Sequence, residues 1–381
     1  MNSTVIIHCA GAQPCRRFRS YAKKRAKHAK TSAVSLPQEK FQIACVKYPG
    51  RLRLLRPEKQ CADTGPERSQ DPLMTVDRWI LLVSITLAAM ACSPKPLMVR
   101  QIADWVDHGM TAYERDDDWE LVEKAFPANI KLLETVLANS PEDRQMLTML
   151  SRMYASYSFG FVETRLDETI YLVDPSDSRA KEMALLKDRV NRCYEKGVGY
   201  ALMALDKSAP GATAAFQKVS TLAPYLQNLG SGEVAPLFWY GFNLGAWVNR
   251  NLDSVRAVSQ AHVARKVMER VLELDPAYNH GGAHLFLLAY FGSRSPILGG
   301  SQEKALDHYQ QVKTIAGDNY LLPDLFWGRF CLHQQQDREG FIDMMQRIVD
   351  HPAGEDEVAL YNAIAGRRAA AYLAAVDTLF E

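Results

Sequence analysis

The stretch Asn279-His280-Gly281-Gly282-Ala283-His284 sets two histidines four residues apart. On a helix that spacing turns both imidazoles to one face, as in a zinc protease. The glutamate that would act as general base beside the first histidine is absent, and Gly281 stands in its place. Capping or core roles therefore suit these histidines better than metal ligation. Asp116-Asp117-Asp118 lacks the spacing of a calcium loop; at a helix start it complements the dipole. Gly299-Gly300 is a turn ahead of a helix starting near Ser301, not a phosphate cradle, and no G-x-S-x-G is present. No nucleophile, acid/base pair or metal cluster emerges, so the sequence predicts a protein that is not an enzyme and uses no cofactor or metal. An envelope hydrolase is the least supported function.

Binding chemistry is better represented. Phe238-Trp239-Tyr240, Trp247, Tyr278, Tyr290-Phe291 and Phe326-Trp327 crowd the later half of the chain. Core packing accounts for many such aromatics. A helical-repeat array also presents a concave face, where aromatics form a mostly apolar pocket and a few polar groups orient the ligand. The candidate ligand-binding residues are Trp239, Tyr240, Asn243, Trp247, Tyr278, Asn279, His284, Tyr290 and Asn319, with Asn249 and Arg250 as further polar neighbours.

The elements that must position them read as helices from about residue 98 to the end. Apolar residues recur three and four apart in segments such as 130–137, 261–274, 304–315 and 341–349, and no run of strict alternation stands out. The stretch from Leu132 to Pro141 aligns with that from Val267 to Pro276, 135 residues on. That interval is close to four units of the roughly 34-residue tetratricopeptide (TPR) repeat. Ala264, Met268, Val271 and Pro276 keep the spacing of a repeat's second helix, as do Ala305, Tyr309, Val312 and Gly317. The small residue admits the paired helix, the large one fills the gap, and the breaker turns the chain. First helices are degenerate: Gln145 and Thr148 occupy sites that should be apolar. The expectation is an all-α, TPR-like helical-repeat solenoid. Cys193 and Cys331, the body's two cysteines, fit as small buried apolar residues.

Ahead of this body, residues 79–91 form an apolar run too short to span a bilayer, which needs about 20 residues. With Arg78 before it and Ala89-Met90-Ala91-Cys92 closing it, the run resembles a bacterial lipoprotein signal. The expected organisation is a misassigned or disordered extension over 1–73, a signal peptide over 74–91, lipidated Cys92 with a tether over 92–97, and one helical domain over 98–381. Translation is expected to start at Met74; the competing role for the basic extension is a nucleic-acid or targeting arm. Charge is segregated accordingly. Residues 1–73 hold 15 Lys and Arg against 5 Asp and Glu, whereas 93–381 hold 29 against 38. An acidic body disfavours nucleic-acid partners.

The blocks Pro236–Phe242, Val267–Tyr278, Gly282–Leu287, Leu298–Leu306 and Asn362–Ala370 stand in an order that resembles the TatT family. These are the TPR-containing proteins associated with tripartite ATP-independent periplasmic (TRAP) transporters, and the likeness extends over roughly residues 84–380. The resemblance implies a periplasmic lipoprotein, anchored to a bacterial membrane through lipid, with the outer membrane favoured by Ser93 after the cysteine. It implies a cleft for a small hydrophobic or organic-acid ligand, association with the transporter's substrate-binding protein, and self-association, for which a trimer is the expectation. No catalytic residues are implied. The alternative function is a TPR scaffold lipoprotein for envelope protein assembly.

Overall fold

In a computed structural model the described residues are 80–81 and 95–381, apart from 353 and 355, and all belong to the compact unit Pro72–Glu381. The expectations on the extension, the signal peptide and Cys92 lie outside the described residues, apart from the helical pair Ile80 and Leu81.

Among the described residues there is no strand; the chain is all-α. The principal helices are α1 (Lys95–Glu114), α2 (Trp119–Leu137), α3 (Arg144–Tyr157), α4 (Glu163–Tyr171), α5 (Asp177–Ser208), α6 (Val219–Gln227) and α7 (Val234–Arg250). They continue as α8 (Val255–Leu274), α9 (Tyr278–Gly292), α10 (Gln302–Ala316), α11 (Leu322–Phe326), α12 (Arg338–Val349) and α13 (Ala359–Ala374). Two π-helical segments, Ser158–Val162 and Trp327–Leu332, run on directly from α3 and α11. Among the described residues no helix is long and apolar enough to cross a membrane.

Local chemistry sets the boundaries. Asp118, Asp143, Ser176, Ser254, Ser301 and Asp337 each accept the backbone N–H three residues on, opening α2, α3, α5, α8, α10 and α12. Each satisfies an N–H that would otherwise lack a partner, worth about 1 kcal/mol. Ala264, Met268 and Val271 are fully buried along α8, as are Ala305 and Val312 along α10, and Gly317 closes α10 at φ 81°. The repeat-like spacing thus marks buried stripes.

Helices pair side by side: α3 with α5, α5 with α7, α7 with α8, α9 with α10, and α12 with α13. The last of these does not simply end the array. Helix α13 also packs on α4, α1, α2 and the first π segment. Its Leu360 and Ile364 are buried in the same cluster as Trp119, Phe126 and Phe161. The last long helix of the described body meets its first ones.

Glycines permit that meeting. A Cβ on Gly160, in the first π segment, would fall 2.9 Å from the Ile364 side chain. In the second, a Cβ on Gly328 would fall 2.2 Å from Met345 of α12. A π turn also frees a carbonyl from its usual helical partner. The Gly160 carbonyl accepts instead from the Trp119 indole N–H at 2.9 Å and the Thr164 hydroxyl at 3.0 Å.

Candidate functional site

The helices line a partly open cavity of about 140 Å³. A water needs roughly 10–15 Å³ on such a measure, so the space suits a small organic molecule or a file of waters. Its walls come from nearly the whole body: α1, α2, both π segments, α7, α8, α9 and α13. Aromatics dominate, with Phe159, Phe242, Phe286, Phe326, Tyr361 and Tyr372 among them. Several rings meet edge to face, Phe159 with Phe242 at 5.7 Å and with Phe326 at 6.0 Å between centroids. Such pairing holds the rings in set orientations.

Of the nine sequence candidates, Trp239, Asn279 and Tyr290 line this cavity. Trp239 also borders a second, more polar recess beside Asp107, Arg144 and Arg152, and Tyr278 lines that recess rather than the aromatic cavity. Tyr240 is buried with its ring 4.4 Å from that of Phe216, and burial raises its pKa. Asn243 is fully buried; its amide N–H groups reach the Trp239 carbonyl at 2.7 Å and the Ser151 hydroxyl at 3.2 Å. It ties α7 to α3. Trp247 is half-buried beneath Arg256, and its carbonyl accepts from Asn251 at 2.7 Å. Asn319 is exposed and bonds His351 at 2.8 Å.

The two histidines of the opening motif do not share a helical face. Asn279, His280 and Gly281 all have left-handed backbone, at φ 51°, 57° and 73°. His280 packs against the rings of Tyr320 and Tyr361, while His284 meets His308 of α10 with their Nδ1 atoms 2.9 Å apart. Left-handed backbone costs a non-glycine residue about 1–2 kcal/mol. Strain of this kind concentrates at ligand-contacting segments, and here it falls where Asn279 and Gly282 form the cavity wall. Among the described residues no group of three or more His, Cys, Asp or Glu could hold a metal.

Sequence reading passed over the electrostatic feature of the wall. Glu163 and Asp167 of α4, Arg250 of α7 and Arg368 of α13 form a closed ionic cluster. Arg250 reaches Glu163 at 2.7 Å and Asp167 at 3.1 Å, and Arg368 reaches Asp167 at 2.9 Å. Tyr194 and Tyr372 donate to Glu163 and Asp167, each at 2.8 Å. Burial alone would raise the Asp167 pKa; the Arg250 and Arg368 guanidiniums overcome it and bring the group to about 2. The one available signal was the run Glu163-Thr-Arg-Leu-Asp167, whose carboxylates four apart share one helical face.

The described body is thus all-α, built of paired helices whose last long member packs over a mostly apolar cavity. The family model described as "TRAP transporter T-component" matches residues 115–380. The chain belongs to that family of transporter accessory components, as the ordered sequence blocks implied. An uncharacterized protein of Treponema pallidum (strain Nichols) is 26% identical over 203 residues, an alignment covering 52% of this chain and 61% of that relative.

Proposed function

We propose that the chain is a periplasmic lipoprotein accessory of a TRAP-type uptake system that binds a small, mostly hydrophobic ligand in the cavity and engages the transporter's substrate-binding component. The observation that carries this reading is the cavity: an aromatic-walled space of about 140 Å³ assembled from both ends of the body. Family membership supplies the transporter context. The lipidated residue in this reading is Cys92, and the anchor holds the body near a membrane, raising its effective concentration for a diffusing partner.

The test is titration of the purified full chain with the neutral fluorophore Nile red, beside extraction and mass analysis of any compound that copurifies. Saturable binding at one site is expected. Ala289→Trp, which places an indole where a methyl group lines the cavity, should abolish it without lowering the melting temperature. Titration that never saturates, or that ignores Ala289→Trp, counts against the reading. It would leave the scaffold function, which no feature of the cavity supports. Membrane retention unchanged in Cys92→Ser would remove the anchor.

A further inference from the structure

The charges on the cavity wall do not balance. Its carboxylates are all answered: Glu114 pairs with Arg152 at 2.7 Å, and Glu163 with Arg250 at 2.7 Å. Its guanidiniums are answered only in part. Arg329, half-buried in the second π segment, forms no ion pair or hydrogen bond among the described residues; its guanidinium stands 5.6 Å from the Tyr372 ring. Arg368 is 7% exposed and spends one nitrogen, Nη2, on Asp167, Glu163 and Tyr372. Its Nε and Nη1 are buried without a partner among the described residues. The Phe159 ring lies 5.1 Å from this guanidinium, but an aromatic face satisfies N–H donors only weakly. Tyr372 touches both arginines, so they share one flank of the wall.

A buried donor left unpaired is costly and calls for an explanation, and a partly buried cation without a counter-ion is costlier still. In a body whose acidic residues outnumber its basic ones, 38 to 29 over residues 93–381, a cavity with surplus positive charge is out of keeping with the rest. Arg294, the remaining basic residue of the wall, is already engaged: it stacks 4.0 Å from the Tyr290 ring and bonds the Tyr290 carbonyl at 2.8 Å. The planar fork of a guanidinium matches a carboxylate better than any neutral head group.

We propose that the cavity takes an amphipathic monocarboxylate, its head group seated between Arg329 and Arg368 and its apolar tail lying along Phe159, Phe242 and Phe286. This rests on the cavity being a ligand site, as proposed above, and adds which end of the ligand goes where. A single seat faces walls that are otherwise mostly apolar, which favours one charge and a tail over a compact polyanion.

Calorimetric titration of the full chain with octanoate, octan-1-ol and octylamine tests it, since the three share a tail and differ in head. Octanoate should bind tightest. Arg329→Gln removes the arginine that makes no ion pair or hydrogen bond among the described residues, and should weaken octanoate by at least about tenfold while leaving octanol within about twofold. Arg329→Lys, which keeps the charge, should recover part of the loss. Octanol or octylamine binding as well as octanoate, or Arg329→Gln weakening acid and alcohol alike, overturns the head-group seat and leaves the apolar cavity standing. No binding of either octanoate or octanol overturns both.

Discussion

The Tyr361 hydroxyl donates to the Glu114 carboxylate at 2.9 Å, joining residues 247 positions apart. Glu114 closes the first helix and Tyr361 opens the last long one, so this one bond spans the body's two ends. Arg152 secures Glu114 from the other side at 2.7 Å. On the surface nearby, Arg115 and Glu357 pair at 2.6 Å, and deeper in, Arg367 binds Glu168 at 2.7 Å. Closure therefore has an exposed layer and a buried one, and they should differ in worth.

Tyr361→Phe removes a hydrogen bond to a charged acceptor and should lower stability by about 1–2 kcal/mol. Arg115→Ala breaks an exposed pair and should cost less than about 1 kcal/mol. Urea unfolding of the two variants under one buffer checks the ranking. Equal effects would mean that the closure depends on surface charge.

Acid should unfold this protein in a defined window. Asp167 is held at about 2 in the folded state, burial being outweighed by Arg250 and Arg368. Glu134 is also held at about 2: burial opposes, and hydrogen bonds from Lys131, Tyr154, Lys196 and Tyr200 prevail. Both values lie below those of the unfolded chain, near 4. The unfolded state therefore takes up the protons first, so this stability is complete above about pH 4 and lost as pH falls toward 2. Glu134→Gln should shrink the drop in urea midpoint between pH 5 and pH 3, because one of the responsible carboxylates is gone. A drop as large as in the parent chain would assign the acid sensitivity elsewhere.

The His284–His308 contact titrates in the same direction for a different reason. Burial, with His284 alongside, pulls the His308 pKa down to about 4. Burial lowers His284 as well. Nitrogens 2.9 Å apart can share a hydrogen bond only while one ring accepts. Because an unfolded histidine titrates near 6.5, stability from this pair should be whole above about pH 6.5 and decline toward pH 4. Histidine ring resonances followed by NMR should give His308 the lowest midpoint of the set. A midpoint near 6.5 for His308 would place its ring in solvent.

How far the sequence foretold this architecture depends on the range of the interaction concerned. Helix starts at Asp118 and Ser301 and the buried stripe of Ala264, Met268 and Val271 are local patterns, and they were legible. Trp239, Asn279 and Tyr290 were picked out because large aromatics and amides stand out in any stretch, and the cavity brings them together. Three kinds of information were not local. Left-handed backbone at Asn279 and His280 is imposed by tertiary packing and breaks the four-residue register of the histidines. The π segments rotate Phe159 and Arg329 inward, and period-3.6 reasoning has no place for them. The return of α13 depends on a small residue at Gly160 meeting a large one at Ile364, 204 positions away. A single chain carries no mark of that pairing.

Gly245 offers a way to alter the cavity without touching its charges. It lies in α7 against Phe286 of α9, and a Cβ there would sit 2.1 Å from the Phe286 ring. Gly245→Ala must therefore push that ring aside or drive the two helices apart. Overpacking of this sort costs about 1–3 kcal/mol. Because Phe286 and Gly245 both line the cavity, the displaced ring should take up ligand space and weaken Nile red binding several-fold. Gly199 of α5 supplies the contrast, since it is exposed and a Cβ there meets no atom within 4 Å. Gly199→Ala should stabilise the helix by about 0.4–1 kcal/mol, chiefly by restricting the unfolded chain, and leave Nile red affinity unchanged. Thermal melts and fluorescence titration of both variants separate a cavity effect from a general effect of stability. If Gly245→Ala binds the dye as tightly as the parent, Phe286 does not bound the ligand space and the tail must lie elsewhere.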